Sequence, residues 1–321
     1  VTRQQRRAAG RAGQRRPAAP RPWRRLAIAG AVIVLLGAGF WWWAGRASVV
    51  REGAPGWSPD GRRIVFYAEQ ATGKSDLFVM NADGSGRRPV LQTPGAGEGA
   101  PAFSPTGDEI AYDTDRDGNF EIYVMNANGS NPHRLTDHPA RDLAPAWSPD
   151  GAHIVFMSDR DARPEFDVYR MRADGTNVER LTEGATHWFP QYSPDGTKIA
   201  MHVWRDVHVM DAATRALTRL TVDPSNGMYP TWSPDGKRLA FMSWRSGPTE
   251  IYTMNADGTD QRLLVRMKTG SALDPRWSPS GDRIVFVHVP EMSVHDRQDG
   301  GESREIYVVE VATGALTRLS R

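Results

Sequence analysis

An aromatic residue followed by Ser-Pro recurs six times, at Trp57, Phe103, Trp147, Tyr192, Trp232 and Trp277, at intervals of 46, 44, 45, 40 and 45 residues. A fixed period of this length means that one supersecondary unit is built repeatedly, and few folds satisfy that. The third copy, Ala144 to Thr182, holds three apolar, β-rich runs and a final Leu-Thr run, separated by two tight-turn signals. In Ser148-Pro149-Asp150-Gly151 proline presets φ, Asp caps the turn and Gly takes the left-handed position that a hairpin needs. The same chemistry recurs at Ala173-Asp174-Gly175 and at Asn255-Ala256-Asp257-Gly258. Each unit is therefore predicted to be a four-stranded antiparallel meander, strands A to D. Strand B runs such as Ile154-Val155-Phe156 are continuously apolar, as in a sheet covered on both faces.

One meander cannot bury both of its faces. Stacking six of them radially around a channel does so and leaves only short edges. The expected fold class is all-β: a six-bladed β-propeller of four-stranded antiparallel blades over residues 54–321, with blades starting near 54, 100, 144, 189, 229 and 274. Two closures of the ring fit the sequence. Either Ala315–Ser320 completes the last blade, or Ser48–Arg51 adds a strand to it.

The pattern W-S-P-D-G, I-x-F, S-x-R-x-G-x-x-E-I-Y-x-M-N-A-D-G and R-L-T, legible in all six copies, resembles the TolB-type, WD-like propeller repeat. That resemblance implies a six-bladed propeller of bacterial envelope proteins, mostly serving as a protein-binding platform. TolB itself carries an α/β domain before its propeller. Here an apolar segment stands in that place, so a role in the Tol–Pal system is not implied.

Leu26 to Ala44 is a run of nineteen residues without a charge. As a helix it spans about 28 Å, close to the hydrocarbon thickness of a bilayer. Trp41, Trp42 and Trp43 suit the headgroup boundary, and nine arginines, Arg3 to Arg25, precede the run. The positive-inside bias predicts a single-pass signal anchor at 26–44, with a disordered basic arm (1–25) in the cytoplasm. A linker (45–53) then leads to the propeller outside the cytoplasmic membrane. The competing reading is a cleaved signal peptide, for which Arg24-Arg25 permits twin-arginine export. Both readings export the propeller.

The formal charge of +2 hides an asymmetry, because ten arginines and no acids fall within residues 1–46. The remainder carries thirty bases against thirty-eight acids, a net charge of about −8. An acidic body argues against nucleic acid as a partner. With no cysteine, disulfides, thiolate nucleophiles and Cys-ligated zinc are excluded.

The A–B and C–D turns are short and nearly identical between blades, whereas the B–C and D–A connections at the opposite end vary. Variable loops on a rigid scaffold are the usual place for binding. Arg116, Arg160, Arg205 and Arg245 each fall thirteen residues after their blade's aromatic, and Glu121, Glu165 and Glu250 follow three of them by five. An intrablade Arg–Glu pair across the B–C hairpin is expected, with Arg205 the exception. Blade 4 has a much shortened B–C loop, which predicts a notch between blades 4 and 5. Candidate binding residues there are His187, Trp188, Trp204, Arg205, Tyr229, Trp244 and Arg245, using aromatic stacking and a cation toward a peptide or glycan. Blade 6 has instead a long polar B–C insertion, Pro290 to Ser303.

No catalytic residue, cofactor or metal is assigned. Residues 68–75 look like a relaxed P-loop, but a strand rather than a helix follows. The triplet Asp113, Asp115 and Asp117 mimics the start of a calcium loop whose twelfth position is Val124. The expected function is a non-catalytic interaction module: a monomeric propeller, membrane-anchored, that binds an envelope protein, peptide or cell-wall glycan. The alternative is a carbohydrate-active, lyase-like enzyme resembling the oligogalacturonate lyases. It requires His138, His187, His202 and His208 to converge on a metal at the channel.

Overall fold

The computed structural model describes residues 51–70, 73–161, 165–184, 186–222, 226–290 and 303–320. The expected anchor at 26–44, its basic arm and most of the blade 6 insertion lie outside the described residues. Among the described residues, no helix is long and apolar enough to cross a membrane.

The described chain forms six four-stranded sheets, each antiparallel and each in sequential strand order. This is the six-bladed, all-β propeller that the repeat predicts. The inner strands A are Glu52–Trp57, Glu98–Phe103, Asp142–Trp147, His187–Tyr192, Met228–Trp232 and Ser271–Trp277. The last blade is completed from within, by Leu316–Arg318 paired to Glu305–Glu310. Of the other closure, Ser48–Arg51, residues 48–50 lie outside the described residues, and Arg51 forms an isolated parallel bridge to Arg304.

The turn chemistry acts as its residue types require. Ser148 Oγ donates to Asp150 Oδ1 at 2.5 Å and accepts the amide N–H of His153 at 2.9 Å, which locks the A–B turn. At the C–D turn of blade 2, Gly129 has φ +90°, and a Cβ there would stand 1.9 Å from the Val90 carbonyl oxygen of blade 1. Only glycine fits both demands. The R-L-T motif also has a mechanism. Arg134 and Arg180 bind the first residue of strand C, Glu121 at 2.8 Å and Asp167 at 2.5 Å. Two residues on, the Thr136 and Thr182 hydroxyls accept the amides of Ile122 and Val168.

Each pair of adjacent blades shares an apolar cluster, and a smaller one gathers around Ala144, Met157 and Phe166, so the core is a ring of wedges rather than one centre. Between blades 1 and 2, Val65, Leu77 and Val79 meet Phe103, Ile110 and Tyr112. Between blades 6 and 1, Val285, Ile306 and Val308 meet Trp57, Ile64 and Phe66. Two of the repeated aromatics also bond across the joint: Trp57 Nε1 donates to the Arg276 carbonyl and Trp147 Nε1 to that of Ala102, each at 3.2 Å.

Candidate binding site

The six strands A surround the channel. Counted from the residue five before the aromatic, the fourth position is proline in every blade: Pro55, Pro101, Pro145, Pro190, Pro230 and Pro275. The residue before it is left-handed each time, with φ between +40° and +53° at Ala54, Ala100, Ala144, Phe189, Tyr229 and Asp274. The pairing register shows why. Gly53 opposes Tyr67 and Gly56 opposes Val65, so Ala54 and Pro55 together face Phe66 alone. A β-bulge leaves one amide out of the ladder, and proline has none to lose.

This bulge lets the third and fifth positions face the channel, where the two halves of the ring differ. Blades 1–3 present Ala54, Ala100 and Ala144, then Gly56, Ala102 and Ala146. Blades 4–6 present Phe189, Tyr229 and Asp274, then Gln191, Thr231 and Arg276. Most of these residues border a cavity of about 350 Å³ that Tyr67, Asp113 and Arg304 also line. Arg304 donates to the Tyr67 hydroxyl at 3.3 Å. Burial pushes the Asp113 carboxyl up to about 6, although it accepts the Ala144 amide at 2.9 Å.

The first position of strand A divides the ring in the same way. It is Glu52, Glu98 and Asp142 in blades 1–3, but His187, Gly227 and Ala272 in blades 4–6. Each acid is buried and holds an arginine: Arg87 at 3.0 Å, Arg116 at 3.5 Å and Arg160 at 2.7 Å. Burial raises all three carboxyls, that of Glu98 to about 7, with the arginines pulling the other way. The expected pairs with the glutamates five residues on are therefore corrected. Arg116 and Arg160 reach inward to strand A and stack on the strand C rings of Tyr123 and Tyr169, each at 4.7 Å. Glu121 and Glu250 are taken by Arg134 and Arg266 instead. Glu121 is itself buried and already held by Arg134, so Arg116 turns to the buried carboxylate that strand A offers.

Arg205 has neither partner. The strand A position is His187, and strand C carries His208 where blades 2, 3, 5 and 6 have tyrosine and blade 1 has Phe78. Its hairpin is reduced to Trp204-Arg205 between Lys198–Val203 and Asp206–Asp211. The Arg205 guanidinium lies over the Trp244 ring of blade 5, 5.7 Å from its centre. Trp204 is 64% exposed and has φ +56°. A bulky residue in that region costs about 1–3 kcal/mol, so the tip is held there by its surroundings. Thr186, Trp188, Trp204, Arg205, Met228 and Trp244 together line a notch of about 270 Å³.

Of the candidate residues, Trp188, Trp204, Arg205 and Trp244 converge in this notch, and three lie elsewhere. His187 is buried, 3.4 Å from Asp167. Tyr229 faces the channel, its ring tilted against that of Phe189 with the centres 4.3 Å apart. Arg245 stays in its own blade, over Tyr252 at 4.4 Å, and bonds Ser243 and Gln261. Behind the notch, His202 is enclosed by Trp188, Phe189 and Tyr229, with ring centres 5.1–5.8 Å away. Burial drops it to about 3, and its Nδ1 accepts the Tyr229 amide at 3.3 Å, so the proton sits on Nε2.

Among the described residues, no group of three or more His, Cys, Asp or Glu is placed to hold a metal ion. The acidic triplet of blade 2 is dispersed: Asp113 lines the channel, Asp115 binds Lys74, and Asp117 accepts from Tyr123. The channel cavity is not evident from the repeat spacing. Its signal is the residue on either side of the inner proline, in the repeated x-Pro-x-aromatic-Ser-Pro.

The family model described as TolB beta propeller domain matches residues 53–206 and 185–306. An uncharacterised protein of Agrobacterium fabrum (strain C58) is 34% identical over 157 residues, 49% of this chain and 52% of the relative. The Tol-Pal system protein TolB of Anaeromyxobacter dehalogenans (strain 2CP-C) is 34% identical over 94 residues, 29% of this chain and 21% of the relative. The chain thus spans about half or less of the length of these relatives. The crystal structure of TolB from Acinetobacter baumannii shares the fold, with a TM-score of 0.68 and 20% identity over 80% of this chain and 63% of that one. With the repeat, the six sheets and the family match in agreement, this chain belongs to the TolB beta propeller domain family.

Proposed function

We propose that this chain is a non-catalytic interaction module of the bacterial envelope. Residues 26–44 tether it to the cytoplasmic membrane with the N-terminus inside and the propeller outside. Its variable end engages an envelope protein, a peptide or a cell-wall glycan at blades 4 and 5. The observation that carries this reading is the notch, where three indoles and an arginine without a carboxylate partner among the described residues stand on a rigid ring. Aromatic residues and arginine dominate binding energy where they cluster. The family match supports an envelope interaction role, and one matched relative is named for the Tol-Pal system.

Photo-crosslinking residues at positions 188, 204 and 244, in the anchored protein in cells, test the reading. Capture of one dominant species, with none from the A–B turns, is the expected result. Equal capture from both ends would overturn the site. Resistance of the propeller to protease added to spheroplasts would overturn its export.

A further inference from the structure

We propose that the notch between blades 4 and 5 recognises a short extended peptide in which an acidic residue stands beside proline or an aliphatic side chain. This rests on the reading of that notch as a binding surface and names its ligand.

The lining fixes the first half of the chemistry. Trp188, Trp204 and Trp244 come from three different strands or hairpins, and Met228 joins them. Thr186 supplies the one side-chain hydroxyl. A space of about 270 Å³ takes a few side chains rather than a folded surface, and it lies near the ~300 Å³ lower end of small-ligand pockets. Pyranose rings also stack on indoles, but each brings several hydroxyls that must find partners once desolvated. Beside Arg205 and the indole N–H groups this lining offers only the Thr186 hydroxyl and no side-chain carboxylate or amide acceptor, so most of them would stay unpaired. Proline and aliphatic side chains make no such demand, and proline-rich strands dock in aromatic-lined grooves already extended.

Arg205 fixes the second half. Its counterparts Arg116 and Arg160 are neutralised by Glu98 and Asp142, whereas Arg205 meets no carboxylate among the described residues. Stacking on Trp244 uses the face of the guanidinium and leaves its N–H edges for a ligand. Such a fork suits a carboxylate bound through two hydrogen bonds. It also repels ammonium ligands, which three indoles would otherwise attract. The rest of the propeller is acidic, so this isolated cation sets the preferred sign locally.

The full chain in detergent micelles is panned against a phage-displayed library of random octapeptides, and enriched peptides are titrated by fluorescence anisotropy. Enrichment of Asp or Glu within two positions of Pro, Leu, Ile or Val is expected. Trp204→Ala and Arg205→Ala should each weaken binding about ten-fold or more, with thermal unfolding unchanged. Arg205→Glu should move the selection toward Lys and Arg. Enrichment of basic peptides by the wild type, or acidic peptides insensitive to both substitutions, would overturn the proposal. No enrichment, while crosslinkers in the notch still capture a glycan or a folded protein in cells, would overturn it and leave the binding surface standing. No enrichment and no capture would remove both.

Discussion

Arg205 lies over Trp244, 5.7 Å from the ring centre and on the neighbouring blade, whereas Arg160 reaches Asp142 of its own blade at 2.7 Å. The same repeat position thus serves two purposes. Asp142 is fully buried, and removing its cation strands a charge. Arg160→Ala is expected to cost about 3–5 kcal/mol in urea unfolding, and Arg205→Ala less than about 0.5 kcal/mol. Equal costs would mean that Arg205 has a structural duty.

Asp113 sets a pH dependence of one sign. Its folded value of about 6 stands above the ordinary 3.8, so the folded state binds the proton more tightly than the unfolded state. Its stabilising contribution is complete below pH 4 and is lost as the pH rises through 6. Asp113→Asn keeps an acceptor for the Ala144 amide. It should gain on the wild type by on the order of 3 kcal/mol between pH 4 and pH 8, followed by urea midpoints.

His202 sets the opposite slope. With the folded value near 3 and the ordinary one at 6.5, stability is full above pH 6.5 and falls as acid is added toward pH 3. His202→Phe forfeits the bond from the Tyr229 amide, at about 1 kcal/mol near neutrality. It should nevertheless lose less stability than the wild type between pH 7 and pH 4. Parallel acid titrations of the two proteins would contradict this assignment.

Two glycines in left-handed conformation should separate backbone strain from collision. At Gly118, φ +107°, a Cβ would meet nothing within 4 Å, while at Gly129 it would meet the Val90 carbonyl at 1.9 Å. Gly118→Ala is expected to cost about 1 kcal/mol. Gly129→Ala must also push two blades apart and should cost several-fold more, about 3 kcal/mol or above, by the same measurement.

The scaffold is legible in the sequence because its determinants are local and repeated. Ser148-Pro149-Asp150-Gly151 specifies a turn within four residues, and Ile154-Val155-Phe156 specifies a strand covered on both sides. The partners of the arginines are not legible. Whether Arg116 takes Glu98 or Glu121 depends on Arg134 already holding Glu121, and sequence distance does not encode that. The notch is half legible. A two-residue hairpin announces a gap, and Trp188, Trp204, Arg205 and Trp244 do gather there. Alternation along strand A, shifted by the bulge, sends Tyr229 to the channel and buries His187.

Among the described residues, the ring closes without a shared strand. Blade 6 ends on its own outer strand, and blade 1 meets it through the cluster of Trp57, Phe66, Val308 and Leu319 and a few hydrogen bonds, from the Glu52 amide to the Arg304 carbonyl at 3.3 Å, from Trp57 Nε1 to the Arg276 carbonyl at 3.2 Å and from Arg304 to the Tyr67 hydroxyl at 3.3 Å. Tension between Glu52 and Leu319 would therefore fall first on this side-chain clasp and its few bonds, since no strand ladder spans the joint among the described residues. Such a hoop springs open at one joint before any blade unravels. An attachment upstream of Glu52 would pull on that joint first.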